Sequence, residues 1–260
     1  MKRLYWLLLL IFLKPDFVYA FDVSGLQPVA PNGVFSTFST ESRPKGGYAF
    51  EVGLDKSKEP DFYRFLFKGS YGISDSLEFD VTVPYIYNFE SSVDGMEDMS
   101  FGLKHRFYDE GKYGPSLAYL LTASLNNGRN DFSTNGRFGV GLILSKRVGP
   151  FKGNINVLYE KPGTGRLKDE VSFLAGVELS ASHNFTILGE LLARKSYVSS
   201  KYDQLETRFG YRFKTTDSIY TTFGAGLDLK KRNPEVRFIF SISYVPGEKK
   251  PEIRRIIEEE

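Results

Sequence analysis

From about residue 46 to residue 245 the chain repeats one pattern. Apolar and polar side chains alternate for about 10–13 residues, a turn intervenes, and the alternation starts again. The stretch Ser76–Phe89, SLEFDVTVPYIYNF, shows it at full length. Leu77, Phe79, Val81, Val83, Tyr85 and Tyr87 fall on one side. Glu78, Asp80, Thr82, Pro84, Ile86 and Asn88 fall on the other. A strand sends successive side chains to opposite faces, so each segment is a ribbon with one greasy and one polar face. The pattern predicts twelve strands, at 46–55, 61–72, 76–89, 98–109, 115–126, 136–148, 151–161, 170–180, 184–196, 204–214, 218–229 and 235–245.

Three features decide which solvent each face meets. The segments exceed the five or six residues usual in soluble strands and match the roughly 9–11 that cross a bilayer at a tilt. Every segment carries the apolar face, including the first and last, as a ring closed in lipid requires. The opposite face bears charges at mid-strand: Glu78, Asp80, Lys104, Glu178, Glu190 and Arg208. A ligand-binding soluble barrel inverts that arrangement, with its apolar face inward. A two-sheet sandwich with its charges in water is the competing architecture. The expected fold is all-β: a transmembrane antiparallel up-and-down β-barrel of about 12 strands, spanning 45–246.

The connections alternate as well. Short ones at 74–76, 147–150, 180–183 and 215–217 interleave with longer polar ones such as ESSVDGMED, NNGRNDFSTN, KPGTGRLKD and SYVSSKYD. Outer-membrane barrels have short periplasmic turns and longer outside loops, which puts both termini on the periplasmic side. The turn at 109–114 breaks the rule by its length. Residues 1–20 read as a signal peptide: a basic start (MKR), an apolar core (LYWLLLLIFL) and small residues before Phe21. Its removal takes Lys2, Arg3, Lys14 and Asp16 from totals of 34 basic and 32 acidic residues, leaving no net charge. That gives no field for nucleic acid. Residues 21–44 read as a periplasmic N-terminal arm or a plug, and 247–260 as a charged periplasmic tail.

The inward face is the candidate functional surface. Its basic members are Arg64, Lys68, Lys104, Arg106, Arg137, Arg194, Arg208, Arg212 and Arg237, with Lys152. Its acidic members are Glu51, Glu78, Asp80, Glu178, Glu190, Glu206 and Asp228, with Asp55, Glu160 and Glu170. The signs nearly balance, so the bore is either a narrow mixed-charge channel or a salt-bridged closed lumen.

Other motifs carry little chemistry. With no cysteine, thiol catalysis and thiolate metal sites are excluded. His105 falls on the outward face with Phe101, Leu103 and Phe107; a lipid-acting enzyme would have to use it, and it reads instead as an interfacial residue. His183 falls in a tight turn. Gly139-Val-Gly141 and Gly224-Ala-Gly226 lie in strands with no helix to follow, so they read as inward glycines that let the wall bend, not as phosphate loops. Asp94, Glu97 and Asp98 lack the spacing of a calcium loop and read as a solvated outer loop. Lys56, Lys58, Arg166, Lys168, Lys201, Lys230, Lys231 and Arg232 either meet lipid phosphates or simply keep the loops soluble. No catalytic residue, cofactor or metal is expected.

The run YGISDSLEFDVTVPYIYNF, with SFGLKHRFYDEGKYGPSLAYLLTAS and SKRVGPFKGNINVLYE, resembles the outer-membrane channels of the phenol-degradation MetA-pathway (transporter-like) family. The resemblance spans about 45–246 and rests on hairpin patterns. It implies a monomeric barrel in the outer membrane that passes small organic molecules, with outer-membrane lipid, lipopolysaccharide and the barrel assembly machinery as partners. One departure is the end of the chain. Such barrels often finish on an aromatic residue of the last strand, whereas Tyr244 is followed by VPGEKKPEIRRIIEEE. The expectation is thus a passive channel, with a structural or assembly barrel as the alternative.

Overall fold

A computed structural model describes residues 25–58, 61–89, 93–163, 168–196, 204–230 and 236–247. The signal peptide expected at 1–20, most of the expected C-terminal tail and Arg166, Lys201, Lys231 and Arg232 lie outside the described residues.

Two very short strands come first, β1 (Gly33–Val34) and β2 (Thr37–Phe38). Twelve long strands then form a closed antiparallel barrel: β3 (Tyr48–Lys58), β4 (Asp61–Gly72), β5 (Leu77–Phe89), β7 (Ser100–Tyr108), β8 (Ser116–Ser124), β9 (Arg137–Val148), β10 (Phe151–Pro162), β11 (Glu170–Ser182), β12 (Phe185–Ser196), β13 (Gln204–Thr216), β14 (Ile219–Asp228) and β15 (Val236–Tyr244). A further short strand, β6 (Val93–Met96), doubles back on the loop end of β5. Each long strand pairs with its sequence neighbour, and β15 pairs with β3 from Arg237 opposite Ser57 to Tyr244 opposite Phe50. Closure matters because an open edge would leave a row of unpaired peptide groups in hydrocarbon.

Alternation fixes the register, since a slip of one residue would turn every charge to the outside. The two faces separate as the pattern requires. Phe50, Phe138, Phe209 and Phe238 are 58%, 60%, 63% and 57% exposed, whereas Arg64, Glu78 and Lys104 are at most 2% exposed. A water-soluble fold would not leave so many aromatics bare while burying its charges. Outward-facing aromatics also pack on one another across strands: Phe185 with Phe213 at 4.9 Å, Phe223 with Phe240 at 5.0 Å. The register shifts at 106–108, 180–182 and 214–216 all sit at the short-turn end, where an extra residue lets a strand bend into its turn.

Candidate functional site in the barrel interior

The inward charges come from many strands, and the structure groups them into separate clusters. On β3 and β4, Lys68 Nζ lies 2.6 Å from Glu51. On β5 and β7, Lys104 Nζ lies 2.7 Å from Glu78, with Asp80 buried beside them. On β11 and β13, Arg212 meets Glu178 at 3.3 Å. On β12 and β13, Arg208 lies 3.1 Å from Glu190 and 2.7 Å from Glu206, and Arg237 of β15 approaches Glu206 at 3.9 Å. Arg137 reaches Glu160 at 3.1 Å and Glu170 at 3.5 Å near the loop end. Arg194 is half-buried against Ser172, and Asp228 accepts a bond from the Lys230 N–H at the rim. Arg106 is set apart from the rest. It sits at the short-turn rim, pairing with Asp109 at 2.8 Å and donating to the Asp75 carbonyl. A buried ion is tolerable only when its remaining donors and acceptors are also satisfied; here a second element supplies partners for Glu51, Lys68, Glu78, Glu190 and Arg212, while both carboxylate oxygens of buried Asp80 accept no hydrogen bond.

That element is the chain from Gly25 to Gly47, which runs within the ring. Gly25 lies near Glu160, and Gln27 donates its N–H to Thr82. The Pro28 carbonyl accepts from Lys68, and the Ala30 N–H donates to Glu51 at 2.9 Å. The β1–β2 hairpin then crosses the bore. Arg212 donates to the Gly33 carbonyl at 2.6 Å. Glu190 accepts three bonds of 2.8 Å, from the Ser36 N–H, the Thr37 N–H and the Thr37 hydroxyl. Asn156 pairs with Phe38 as a strand would, accepting its N–H at 2.7 Å and donating to its carbonyl at 2.8 Å. Thr40 donates to Ser145 and Lys152 bonds Glu41. Finally the Arg43 N–H donates to Glu78 at 2.6 Å, while the Arg43 guanidinium donates to the Val29 and Ala30 carbonyls. Burial raises the Glu41 carboxyl, but the charge and hydrogen bond of Lys152, with Arg147 beyond, outweigh it and hold the group below its ordinary range. The segment has almost no ladder of its own, so its backbone groups are satisfied by side chains of the wall.

Glycines make the room. Gly210 and Gly224 are directly opposed on β13 and β14, and a Cβ on either would come within 2.9 Å and 2.5 Å of the Phe35 ring. A Cβ on Gly176 would stand 3.1 Å from that of Thr37. At Gly141 it would strike Leu158 at 2.1 Å, and at Gly139 the Thr122 hydroxyl at 2.4 Å. These positions are bare because something occupies the space above them, a stronger reason than wall curvature.

At the loop end residues 93–99 and 125–136 fold together; Asp94 stays exposed, whereas Glu97 and Asp98 are buried, which corrects the expectation of a solvated acidic stretch for these two. Pairing of β6 with β5 turns the following residues inward. Glu97 becomes fully buried and bonds Arg64 at 2.6 Å. Asp98 gathers bonds from the Thr134 N–H and hydroxyl, the Ser133 hydroxyl and the Gly128 N–H, tying its loop to the one between β8 and β9. Burial raises the Asp98 carboxyl, yet these bonds prevail and lower it from its usual value. Phe62, Phe89 and Phe132 pack with Ile86 and Val93 beside it. Sequence reasoning placed Glu97 in a solvated loop and missed Asn156 and the segment residues that meet the wall. The run of inward glycines was the available signal.

Two voids of about 40 Å³ and 30 Å³ flank the segment, room for only a few waters. On the outside, His105 stacks edge-on against Tyr119 at 5.1 Å. His183 is exposed in the turn between β11 and β12.

Solved structures with this architecture are similar in fold. The NanC porin superposes with a TM-score of 0.62 at 10% identity, over 75% of this chain and 98% of that one. An outer membrane channel from Pseudomonas putida F1 gives 0.57 at 13% identity, over 79% and 97%. The KdgM porin gives 0.57 at 11%, over 75% and 98%. No protein-family model and no curated protein matches the chain. The shared property is the fold: a closed barrel of porin type.

Proposed function

We propose that this chain is an outer-membrane channel for passive movement of small organic solutes, and that the segment 25–47 is its plug. Solutes pass when the segment is displaced. The observation that carries this reading is how the segment is held. Side-chain bonds from the lumen charges anchor it, while the wall is complete without it. Once it leaves, the same Arg, Lys and Glu side chains line a polar bore. The names of similar folds, two porins and an outer membrane channel, support the reading. So does the resemblance to the phenol-degradation MetA-pathway channels. The signal peptide expected at 1–20 fits export, with lipopolysaccharide phosphates meeting the loop-end lysines and the assembly machinery inserting the barrel. Nothing in the proposal calls for catalysis.

A second reading is a structural barrel with a permanently closed lumen, favoured by the small size of the remaining voids. One experiment separates the two. The chain has no cysteine, and a Cβ on Gly176 would stand 3.1 Å from that of Thr37, so a shift of the segment by a few tenths of an ångström brings the pair into the range a disulfide spans. The double variant Thr37→Cys, Gly176→Cys is reconstituted in a planar bilayer. The channel reading expects discrete openings under reducing conditions and silence after oxidation. Silence in both states establishes the closed barrel.

A further inference from the structure

Resting on the channel reading, we infer that Asp80 is a proton-binding site coupled to the plug: it holds a proton while the segment is seated and gives it up when the segment leaves. Closing the bore then takes up one proton, and opening it releases one. Asp80 lies on β5 near the short-turn end and is 1% exposed. Among the described residues it is the one carboxyl whose two oxygens are both buried and accept no hydrogen bond.

Three wall strands and the segment pack around it. On β5, Glu78 shares its face two residues away, within hydrogen-bond reach. On β7, Gly102 stands directly opposite, and Lys104 lies 2.7 Å from Glu78. On β4, Ser70 stands opposite, and the next charge along, Lys68, pairs with Glu51. From the segment come Arg43 and Glu41, the latter paired with Lys152.

The donors of this cluster converge on Glu78, not on Asp80. Glu78 takes Lys104 Nζ, the Arg43 N–H at 2.6 Å and the Asn32 amide at 3.5 Å. The Arg43 guanidinium is bonded to the Ser70 hydroxyl and to the Val29 and Ala30 carbonyls. By charge count alone, Lys104 and Arg43 could balance two anions. Hydrogen bonding decides otherwise. A carboxylate taken out of water needs donors, and the close neighbour of Asp80 is a second acceptor. A proton on Asp80 turns that contact into an O–H···O bond donated to Glu78.

The segment creates this environment. A Cβ on Gly102 would strike Leu26, so Leu26 covers the wall beside Asp80, and the Arg43 N–H fixes Glu78. Withdrawal of the segment removes both and admits water, where an aspartate is ionised at neutral pH. A proton held more tightly by the seated form stabilises that form at low pH, and the stabilisation fades as the pH rises. Open probability should therefore rise with pH, by at most about tenfold per unit for one proton, over the range in which the seated form keeps the proton and the withdrawn form does not.

Two readouts on the full chain test this, each comparing the parent with Asp80→Asn. Asn has the shape of the neutral acid and can donate to Glu78 as that acid does, so the variant should fold and keep the thermal gel shift. Infrared difference spectra of the detergent-solubilised proteins at about pH 7 read the proton itself. The parent should show the C=O stretch of an un-ionised carboxyl, shifted in heavy water, that the variant lacks. Planar-bilayer recordings between about pH 5 and 8 read the coupling. Open probability of the parent should climb with pH more steeply than that of the variant, in which the other titrating groups remain. Absence of the carboxyl band, equal pH dependence in the two proteins, or loss of the gel shift in the variant overturns the inference. A carboxyl band in a barrel that is silent at every pH keeps the proton site and removes the channel. Conduction without the band does the reverse.

Discussion

The wall and the segment inside it are built by opposite rules. A wall strand such as β10 bonds to both neighbours along its length, from Phe151 opposite Val148 to Pro162 opposite Arg137 on one side and from Phe151 opposite Leu179 to Glu160 opposite Glu170 on the other. Its stability is cooperative and spread over many equal bonds. The segment from Gly25 to Gly47 has two residue pairs of ladder, Gly33 with Phe38 and Val34 with Thr37. Beyond a few backbone bonds at its turns and at Gly46 and Gly47, its backbone relies on single side chains spread over several strands. Losing one wall bond changes little, whereas losing one anchor removes a large share of what holds the segment. The wall can thus persist while the segment moves, and that separation is what a gated pore requires.

The sharpest way to break the comparison is at Glu190. Replacing it with Ala removes three bonds from Ser36 and Thr37 and one partner of Arg208. Truncating one side of a buried ion pair costs about 3–5 kcal/mol. The loss should fall on the segment. Conductance should rise, and protease should gain access to residues 33–40, while the barrel still runs faster than its boiled form on a gel. Loss of that gel shift together with the segment would show that wall and segment fold as one unit.

Asn156 comes next. In Asn156→Leu, the Phe38 N–H and carbonyl both lose their partner. Leaving a buried backbone group unsatisfied costs roughly 1–3 kcal/mol, so with two such groups the segment should loosen by an amount comparable to that in the Glu190 variant. Hydrogen exchange at Phe38 measures it. Faster exchange there with unchanged exchange in β9 and β11 sharpens the contrast between the two regions. Equal acceleration in the flanking strands removes it.

The wall was legible in the sequence and the segment was not, for a physical reason. Strands expected at 76–89, 151–161 and 204–214 form at Leu77–Phe89, Phe151–Pro162 and Gln204–Thr216. Alternation is a local signal, repeated every two residues, and the apolar–charged contrast states which face meets lipid. The segment PVAPNGVFSTFST has no period. Its partners are scattered over strands 21 to 181 residues away, and a backbone N–H seeking a distant carboxylate leaves no mark in its own neighbourhood. Composition alone therefore did not decide between an arm beneath the barrel and a plug inside it. Glu97 was illegible for a related cause: its direction depends on β6 folding back on β5, a tertiary event. The inward charges Glu51, Lys68 and Glu190 were readable as positions. Their division into clusters was not, because pairing depends on which strands lie side by side and on what fills the bore.

The loop-end cap gives a smaller, pH-dependent effect. Asp98 is held below its usual value of 3.8 by the bonds it accepts. A carboxyl lowered in the folded state contributes stability that is full above the unfolded value and fades as pH falls through the folded one. The two loops should therefore stay tied at pH 5 and separate as the pH drops below that range. Asp98→Asn should show the separation at every pH, at a cost of roughly 1–2 kcal/mol local to the cap. Exchange of the Thr134 N–H reads both. A wild-type cap that stays protected at pH 2 means that the packing of Phe62, Phe89 and Phe132, not the carboxylate, holds the loops.

The smallest effect is expected on the outer surface of the wall. Lys56 pairs with Asp61 across the loop-end hairpin of β3 and β4, and both side chains are substantially exposed. Solvated pairs of this kind contribute about 0–1 kcal/mol, because water screens the attraction and two long side chains lose freedom. Lys56 also lies over the Tyr63 ring at 4.1 Å, a contact Lys56→Ala would remove as well. Its backbone stays locked in register, Lys56 opposite Tyr63 on one side and Phe238 on the other. Lys56→Ala should leave the thermal gel shift, conductance and segment protection within error of the parent. If it instead opens the pore, the loop-end rim is coupled to the segment through the wall. The independence of the two regions, on which the gating argument depends, would then be lost.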